Sequence, residues 1–263
     1  MSSRIAASWC WYHGGPFRGY QSQARGPTVQ DAIGRAMAAN GIEGQPVASG
    51  RTDLGVHARM QVVSFRVESI DGLADRLNAH LPPGVGIACA AEAPPKFSAQ
   101  WKASGKEYRY RLALDDDPAW KPFAWRTEVD RARLEAVLQH AVGTHDFIAF
   151  HEKSSARALR TISSIKVNQP APQRLDVQII GSGFGRYQVR YLVGGAVAVA
   201  RGETREEDYV AGIARQVEFA GTKAPAEGLV LWQVFYPPAF DPFPAAVRLA
   251  AAGVPRGPPF HDG

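Results

Sequence analysis

Residues 49–65 read Ser-Gly-Arg-Thr-Asp-Leu-Gly-Val-His-Ala-Arg-Met-Gln-Val-Val-Ser-Phe. The first half is polar and bracketed by Gly50 and Gly55, and the second half alternates like a β-strand. Glycine adopts backbone conformations that other residues avoid, so this pair predicts a tight loop. The loop holds Asp53 beside Arg51. From the spacing alone, a turn in which the Asp53 side chain hydrogen-bonds its own backbone fits the pattern equally well.

The composition is that of a folded globular protein with a mild basic excess. The chain has 263 residues, of which 45% are hydrophobic and 21% charged, enough for one large domain or two of ordinary size. The net charge of +5 is compatible with a phosphate-bearing partner but does not establish one. No stretch reaches the roughly 18 apolar residues of a membrane span, and the N-terminus is a poor signal peptide. We therefore expect a cytoplasmic protein without membrane contact.

The sequence predicts no metal site. Cys10 and Cys89 lie far apart in apolar, strand-like runs, so we expect buried free thiols. The histidines form no His-x-His or His-x-x-x-His pair. The acidic cluster at residues 115–117 fits a solvated turn better than a metal site, because no further ligands are spaced around it.

The element pattern predicts an α+β protein built from two similar halves. The first half predicts β-α-β-β-α-β, with these strands and helices: Arg4–Tyr12, a helix capped by Thr28, Gln45–Ala48, Gln61–Val67, Asp71–His80 and Val85–Ala90. The second half repeats the order with an added helix and strand: Lys106–Leu114, Asp130–Val142, Arg160–Val167, Arg174–Ile180, a helix through Ala200, Glu206–Phe219 and Gly228–Tyr236.

This order is typical of split, ferredoxin-like halves. We expect two βαββαβ halves whose antiparallel sheets join across a central cleft, with helices packed on one face. The predicted boundaries are 1–95 for the half with the Asp53 loop, 96–237 for the second half, and 238–263 for a tail rich in Pro and Ala that follows the surface or is partly disordered.

Two elements of the second half place charged or aromatic residues at regular spacing. Strand 106–114 puts two tyrosines on one face and three charged residues on the other, namely Tyr108 and Tyr110 against Glu107, Arg109 and Arg111. Half-buried strand tyrosines are common, so packing alone explains the pair. In the long helix, Arg190 follows Arg186 by four residues, which predicts a shared face and fits a weak surface ion pair.

The loop around Asp53 resembles the signature of the TruA-type tRNA pseudouridine synthases, Gly-Arg-Thr-Asp-x-Gly-Val-His followed by a Gln-Val strand. Nine positions match this signature, and Leu54 stands where the family usually has Ala: Gly50, Arg51, Thr52, Asp53, Gly55, Val56, His57, Gln61 and Val62. Further islands follow in family order up to Pro237. The chain departs from the family pattern at the following positions: His13, Tyr20, Gln100, Gly185 and Gln188.

The resemblance implies isomerisation of uridine to pseudouridine in tRNA, in the anticodon stem-loop at positions 38, 39 or 40, without a cofactor. It implies Asp53 as the nucleophile, Tyr108 as the residue that stacks on the base and can relay a proton, and Arg190 as the ion-pair partner of Asp53. Arg51 is a second candidate partner. An adjacent guanidinium favours the ionised carboxylate. Attack at C1′, attack at C6 and elimination through a glycal all remain open.

Binding of the RNA is assigned to basic and polar residues near the motif islands. The substrate or RNA contacts predicted are Arg51, His57, Gln21, Arg18, Arg59 and Arg160, with Arg25, Lys153 and Arg157 as further phosphate contacts. The resemblance implies tRNA as the partner and a homodimer. Three alternatives stay open: a non-catalytic tRNA-binding or tRNA-folding protein on the same scaffold, a synthase with a different RNA target, and a small-molecule enzyme with an Asp–Arg site.

Overall fold

The computed structural model describes residues 3–152, 159–214, 221–250 and 252–260. The chain divides into two compact units of mixed α/β structure. The first comprises Met1–Ser104 and Leu231–Phe260, and the second comprises Gly105–Val230. Lys153 and Arg157, predicted as phosphate contacts, lie outside the described residues.

The first unit is an antiparallel sheet with helices. Its elements in chain order are β1 (Arg4–Tyr12), α1 (Val29–Ala39), β2 (Val47–Ala48), β3 (His57–Val67), α2 (Leu73–Asn78) and β4 (Val85–Glu92). Strand β1 lies between β3 and β4 and is antiparallel to both, while the two-residue β2 pairs with the other edge of β3. The chain returns to this unit with β10 (Leu229–Phe235), which lies beside β3, and with a short helix, Ala245–Ala250.

The second unit is also an antiparallel sheet with helices. Its elements are β5 (Gly105–Ala113), β6 (Trp125–Arg126), α3 (Arg131–Gln139), β7 (Gly143–Asp146), β8 (Leu159–Ala171), β9 (Arg174–Gly181), α4 (Gln188–Ala200) and α5 (Glu206–Ile213). The strand order is β5-β9-β8-β7, with the short β6 parallel to β5.

Helix α1 begins where the sequence predicts. The Thr28 hydroxyl accepts a hydrogen bond from the Asp31 backbone N–H at 3.2 Å and satisfies a donor that has no partner within the helix. The apolar residues at helical spacing are buried in the core: Val29, Ile33, Ala36 and Met37. The N-cap prediction at Thr28 is therefore confirmed.

The start of α4 differs from the prediction. The helix begins at Gln188 because Tyr187 has a φ of 62°, a left-handed conformation that an α-helix cannot contain. Arg186 therefore precedes the helix. The prediction that Arg186 and Arg190 share a helical face is wrong, because only Arg190 is helical.

The charged face of β5 is buried rather than exposed. Arg111 is 2% exposed and Glu107 is 5% exposed, yet both carry charge. An Arg111 terminal nitrogen lies 3.0 Å from Asp176 Oδ2 on the neighbouring β9, and Arg109 Nε donates to Glu107 Oε1 at 2.8 Å. Buried charges of this kind persist only when they are paired, so each carboxylate stabilises a guanidinium here.

Part of the C-terminal segment, predicted as a tail, packs into the first unit. Phe243 is 2% exposed and lies edge-on to Trp9 with ring centroids 6.3 Å apart. Phe260 is 5% exposed and stacks on the His13 ring at 5.1 Å. These two aromatic side chains belong to the core, whereas Leu249 in the short helix between them is 86% exposed.

The acidic turn after β5 is occupied by an arginine. The terminal nitrogens of Arg174 donate to Asp115 and Asp117 at 2.5 and 2.8 Å.

Within the described ranges, no group of three or more His, Cys, Asp or Glu side chains is arranged to hold a metal ion. Cys10 is buried and Cys89 half-buried, and both are free thiols. Among the helices of those ranges, none has the length and apolar character of a membrane span.

Candidate active site

The Asp53 loop connects β2 to β3 and presents a carboxylate near the surface. The Val56 backbone N–H donates to the Asp53 carbonyl oxygen at 3.1 Å and closes the turn. The Asp53 side chain is half-buried, and the adjacent Leu54 is 60% exposed. The local sequence, with Gly55 at a φ of 83°, builds the bend that the two-glycine pattern predicts.

The connection between β1 and α1 holds this loop in place. The Tyr20 backbone N–H donates to the Thr52 carbonyl oxygen at 3.0 Å. The hydroxyls of Tyr12 and Thr52 are hydrogen-bonded at 2.7 Å in a buried position. Both bonds end on the residue before Asp53, so they fix the direction from which the carboxylate projects.

Two glycines permit this close approach. A Cβ atom at Gly14 would lie 2.3 Å from the Val56 carbonyl oxygen, which is far inside contact distance. A Cβ atom at Gly19 would lie 2.9 Å from the Thr52 carbonyl oxygen, and Gly19 has a φ of 85°. Because both obstacles are backbone atoms, any side chain at Gly14 or Gly19 would push the two loops apart.

Gln61 ties the loop to β3. Its side chain is fully buried, its Oε1 accepts from the Ser49 hydroxyl at 2.6 Å, and its Nε2 donates to the Gly50 carbonyl oxygen at 2.7 Å. A buried amide requires partners for both of its ends, and the loop supplies them. Gln61, in the Gln-Val strand of the motif, thus holds the start of the loop at Ser49 and Gly50.

His57 is placed inside the unit. It is 1% exposed, and its Nδ1 accepts a hydrogen bond from the Gly14 backbone N–H at 2.9 Å. Nδ1 is therefore unprotonated in this arrangement. The sequence assigned His57 to RNA contact, whereas its position in the structure supports the approach of the Gly14 segment to the loop.

The other predicted RNA contacts of the first unit are found in different environments. Arg18 and Arg51 are exposed. The Gln21 side-chain amide donates to Gln30 Oε1 at 2.7 Å. The Arg59 guanidinium lies over the Trp232 ring, 4.7 Å from its centroid, in a cation–π contact.

Arg190 in the second unit is anchored by the backbone of a neighbouring segment. Its Nε donates to the Ala224 carbonyl oxygen at 2.7 Å, and the Ala224 N–H donates to the Arg190 carbonyl oxygen at 3.1 Å. Gly194 permits this contact, because a Cβ atom there would lie 1.9 Å from the Thr222 carbonyl oxygen. The sequence alone did not indicate this role of Gly194, because the contact joins positions about 30 residues apart.

Tyr108 and Tyr110 point from the same face of β5 into different surroundings. Tyr108 is half-buried and meets Phe184 edge-on, with ring centroids 5.2 Å apart. Tyr110 is fully buried, and its hydroxyl donates to the Pro225 carbonyl oxygen at 2.7 Å. Of the two, Tyr108 is the ring that retains accessible surface.

Arg160, a predicted RNA contact, lies at the start of β8 and donates through a terminal nitrogen to the Leu159 carbonyl oxygen at 2.7 Å.

The departures at Gly185 and Gln188 meet in one arrangement. Gln188 is fully buried, and its Oε1 accepts from the Gly185 N–H at 2.7 Å. A Cβ atom at Gly185 would lie 3.1 Å from the Cβ of His151, so the His151 side chain takes the space beside the glycine. Burial and the nearby Arg160 lower the pKa of His151 below its ordinary value.

The residues of the two units have distinct chemical capacities. A half-buried carboxylate on a fixed loop can attack as a nucleophile or stabilise a developing cation. A guanidinium anchored at a helix start can stabilise negative charge, and an accessible tyrosine ring can stack on a base. The first group lies in the first unit, and the other two lie in the second.

Comparisons with known proteins agree with this chemistry. A family model described as tRNA pseudouridine synthase matches residues 137–237. The tRNA pseudouridine synthase A of Solibacter usitatus (strain Ellin6076) is 34% identical over 242 residues, covering 86% of this chain and 96% of that protein. The protein of the same name from Geobacter sp. (strain M21) is 35% identical over 240 residues, with coverages of 86% and 96%.

A third relative extends the alignment. The tRNA pseudouridine synthase A of Thermosynechococcus vestitus (strain NIES-2133 / IAM M-273 / BP-1) is 36% identical over 253 residues, covering 90% of this chain and 86% of that protein. Among solved structures, a chain from "Structure of H/ACA RNP bound to a substrate RNA containing 2'-deoxyuridine" covers 73% of this chain and 43% of its own length at 13% identity. Its TM-score of 0.37 is too low to carry an argument.

Proposed function

Because the chain belongs to the tRNA pseudouridine synthase A family, and is thus an isomerase that forms pseudouridine in tRNA, we propose that Asp53 is its catalytic nucleophile. The observation that carries this proposal is the fixation of the Asp53 loop. Main-chain and buried side-chain bonds hold the residues on both sides of Asp53, while its own side chain stays half-buried at the surface. Such preorganisation is what a nucleophile requires.

The reaction breaks the N1–C1′ bond of uridine and forms a C5–C1′ bond. Reactant and product contain the same atoms, and the net change moves one proton from C5 to N1, so neither a cofactor nor an energy source is needed. An ionised Asp53 serves as the nucleophile in attack at C1′ or at C6, and as the base that takes the C2′ proton in elimination to a glycal.

Arg190 and Tyr108 are proposed to assist Asp53. Arg190 is proposed as the ion-pair partner that keeps the carboxylate ionised, and its anchoring to Ala224 supports a fixed position for that charge. Tyr108 is proposed to stack on the extruded uracil and to relay the C5 proton. Its half-buried ring, held edge-on by Phe184, supports the stacking role.

The proposed target is the anticodon stem-loop of tRNA. Extruding a stacked uridine costs a few kcal/mol, which contacts between exposed arginines such as Arg18 and Arg51 and the phosphates can offset. We further propose a cytoplasmic protein, a homodimer, which follows from the family resemblance, and a ferredoxin-like architecture for each half, which follows from the order of strands and helices. The β-α-β-β-α-β order of residues 4–92 supports the architecture of the first half.

The test replaces Asp53 with Asn, which retains the size of the side chain and removes its charge. We expect a loss of pseudouridine formation on the order of 10⁴-fold, with binding of tRNA unchanged. Tritium release from tRNA labelled with 5-³H-uridine measures the reaction, and fluorescence anisotropy measures binding. Asp75→Asn, an exposed change of the same chemistry on α2, is the matched control. Equal tritium release by Asp53→Asn and the control would refute the role of Asp53.

A second experiment tests the target. Sequencing for pseudouridine in tRNA from cells with and without this protein is expected to show loss at anticodon stem-loop uridines only. Loss elsewhere in tRNA, with the anticodon arm unaffected, would reject the proposed target while leaving the proposed chemistry of Asp53 standing.

A further inference from the structure

Three cations surround a single tyrosine ring at the start of α4. Lys223 Nζ lies 4.0 Å from the centroid of the Tyr187 ring, and the guanidinium carbons of Arg186 and Arg190 lie 4.7 and 5.3 Å from it. Like charges repel, so such a cluster requires compensation. The negative face of the aromatic ring supplies part of it.

A carboxylate supplies another part. Glu152 Oε1 accepts from Lys223 Nζ at 2.9 Å and from the Tyr191 hydroxyl at 2.7 Å. These bonds lower the pKa of Glu152, so the carboxylate is ionised at neutral pH. Glu152 is bonded to Lys223, and the gathering of three cations at one ring favours the binding of an anionic ligand.

The backbone holds Tyr187 in an unusual position. Its φ of 62° is left-handed, and among the described residues only Lys96 is another non-glycine with a positive φ. Left-handed conformations are unfavourable for residues with a bulky side chain, and they concentrate at functional sites. Here the conformation places the Tyr187 ring between Arg186, before the helix, and Arg190, within it.

The cluster is accessible and lies at a favourable place for an anion. Arg186 is exposed, Tyr187 is half-buried, and the side chain of Lys223 is 31% exposed. Tyr187 is the N-cap of the thirteen-residue α4 and makes no side-chain capping bond. The positive end of the helix dipole therefore adds to the charge of the three cations.

We propose that Tyr187, Arg186 and Lys223 form a clamp for the RNA substrate, in which the two cations bind a backbone phosphate and the ring stacks on the adjoining base. The clamp rests on the proposed function. Arg190 belongs both to the cluster and to the proposed catalytic groups, so the clamp would hold a nucleotide close to the target uridine. On phosphate binding, Lys223 exchanges its bond to Glu152 for one to the phosphate.

The first test removes the charge of Lys223. Lys223→Met is expected to raise the KM for tRNA about tenfold, to leave kcat unchanged, and to reduce the slope of log Kd against log salt by about 0.7–0.9, the value for one phosphate contact. Lys223→Arg is expected to have the KM, the kcat and the salt slope of the wild type. Lys102→Met is the matched control, because Lys102 Nζ lies 4.2 Å from the Phe240 ring centroid in a similar cation–π contact in the first unit.

If Lys223→Met and Lys102→Met have the same KM and salt slope, the phosphate contact is refuted. If Lys223→Met changes the thermal unfolding midpoint but neither binding parameter, the residue is structural and the clamp is also refuted. A wild-type protein that forms no pseudouridine would refute the proposed function instead. That outcome is distinguishable, because tRNA binding and its salt slope are measured without turnover.

The second test concerns the ring. Tyr187→Phe is expected to bind tRNA within about twofold of wild type, whereas Tyr187→Leu is expected to bind roughly tenfold more weakly, as for the loss of one base–aromatic stack. Both variants keep a non-glycine residue at this left-handed position, so the backbone strain is similar in the two. Equal affinity of Phe and Leu at this position would overturn the stacking part of the proposal.

Discussion

The Asp53 loop and the start of α4 each hold one of the proposed catalytic charges, but they hold it by different means. The loop is fixed by bonds to backbone atoms, with Gly14 and Gly19 allowing two segments to touch. The start of α4 is organised by side-chain charge around a left-handed tyrosine, and fewer backbone contacts hold it: Arg190 is bonded to Ala224, and the Glu152 N–H donates to the Arg186 carbonyl oxygen at 3.2 Å.

This difference predicts two kinds of sensitivity. Backbone contacts at 2.3–2.9 Å from an added Cβ atom cannot adjust to a larger residue, and salt does not screen them. Charge clusters tolerate changes of shape but depend on ionic strength. We therefore expect substitutions at the glycines to affect stability and kcat, and substitutions around Tyr187 to affect binding of RNA and its salt dependence.

The largest effect is expected from Gly194→Ala. The added Cβ atom would lie 1.9 Å from the Thr222 carbonyl oxygen, so the segment carrying Ala224 must move and release Arg190. We expect destabilisation of about 3 kcal/mol or more in urea unfolding, and loss of most tritium release. This substitution tests a feature that α4 shares with the Asp53 loop, a glycine in close contact with neighbouring backbone.

Gly34→Ala is the matched control for that experiment. Gly34 also lies within a helix, but its nearest neighbouring atom is 3.8 Å away at the flexible end of Gln45. Alanine is favoured over glycine in a helix by about 1 kcal/mol, so Gly34→Ala is expected to stabilise the protein. If both substitutions shift stability in the same direction, the close approach at Gly194 does not control the position of Arg190.

The second effect in size is expected from Gly14→Ala. Its Cβ atom would meet the Val56 carbonyl oxygen at 2.3 Å and displace the β1–α1 connection from the Asp53 loop. We expect a loss of about 2 kcal/mol of stability and a fall in kcat at saturating tRNA. Gly15→Ala is the control, since no atom lies within 4 Å of its Cβ position. Normal kcat in Gly14→Ala would contradict the view that the loops fix the carboxylate.

The sequence predicts the Asp53 loop well because the bend is encoded locally. Gly50, Gly55 and the alternation that follows specify a turn and a strand within one continuous stretch. Contacts distant in sequence were not predictable, because single positions carry no signal for them. His57 is an example: its burial depends on Gly14, more than 40 residues earlier.

The second unit was harder to predict for two physical reasons. A left-handed Tyr187 has no sequence signature, so Arg186 was wrongly placed on the same helical face as Arg190. The strand pattern placed the charges of β5 on one face but gave no sign of their burial, because the pairing of Arg111 with Asp176 on β9 cannot be identified from that pattern. In both cases tertiary contacts override the local preference.

The smallest effect is expected from Tyr12→Phe, which removes a buried hydroxyl at the end of β1 that contacts the Asp53 loop. The hydrogen bond to the Thr52 hydroxyl is 2.7 Å long and is worth about 1 kcal/mol of stability. Because Thr52 precedes Asp53, its loss should also widen the range of orientations of the carboxylate. We expect kcat in the tritium-release assay to fall about threefold to tenfold, as for slight misplacement of a catalytic group.

Comparison with Tyr236→Phe separates the effect of a lost buried hydroxyl on protein stability from its effect on the position of the Asp53 carboxylate. The Tyr236 hydroxyl is likewise buried in the first unit and donates to the Ala99 carbonyl oxygen at 2.9 Å, but it does not touch the loop. Both substitutions should lower the unfolding free energy by about 1 kcal/mol, yet only Tyr12→Phe should lower kcat. An equal kcat for the two variants would mean that the remaining contacts of the loop, those of Gln61 and of the backbone segment 14–20, hold Asp53 without Tyr12.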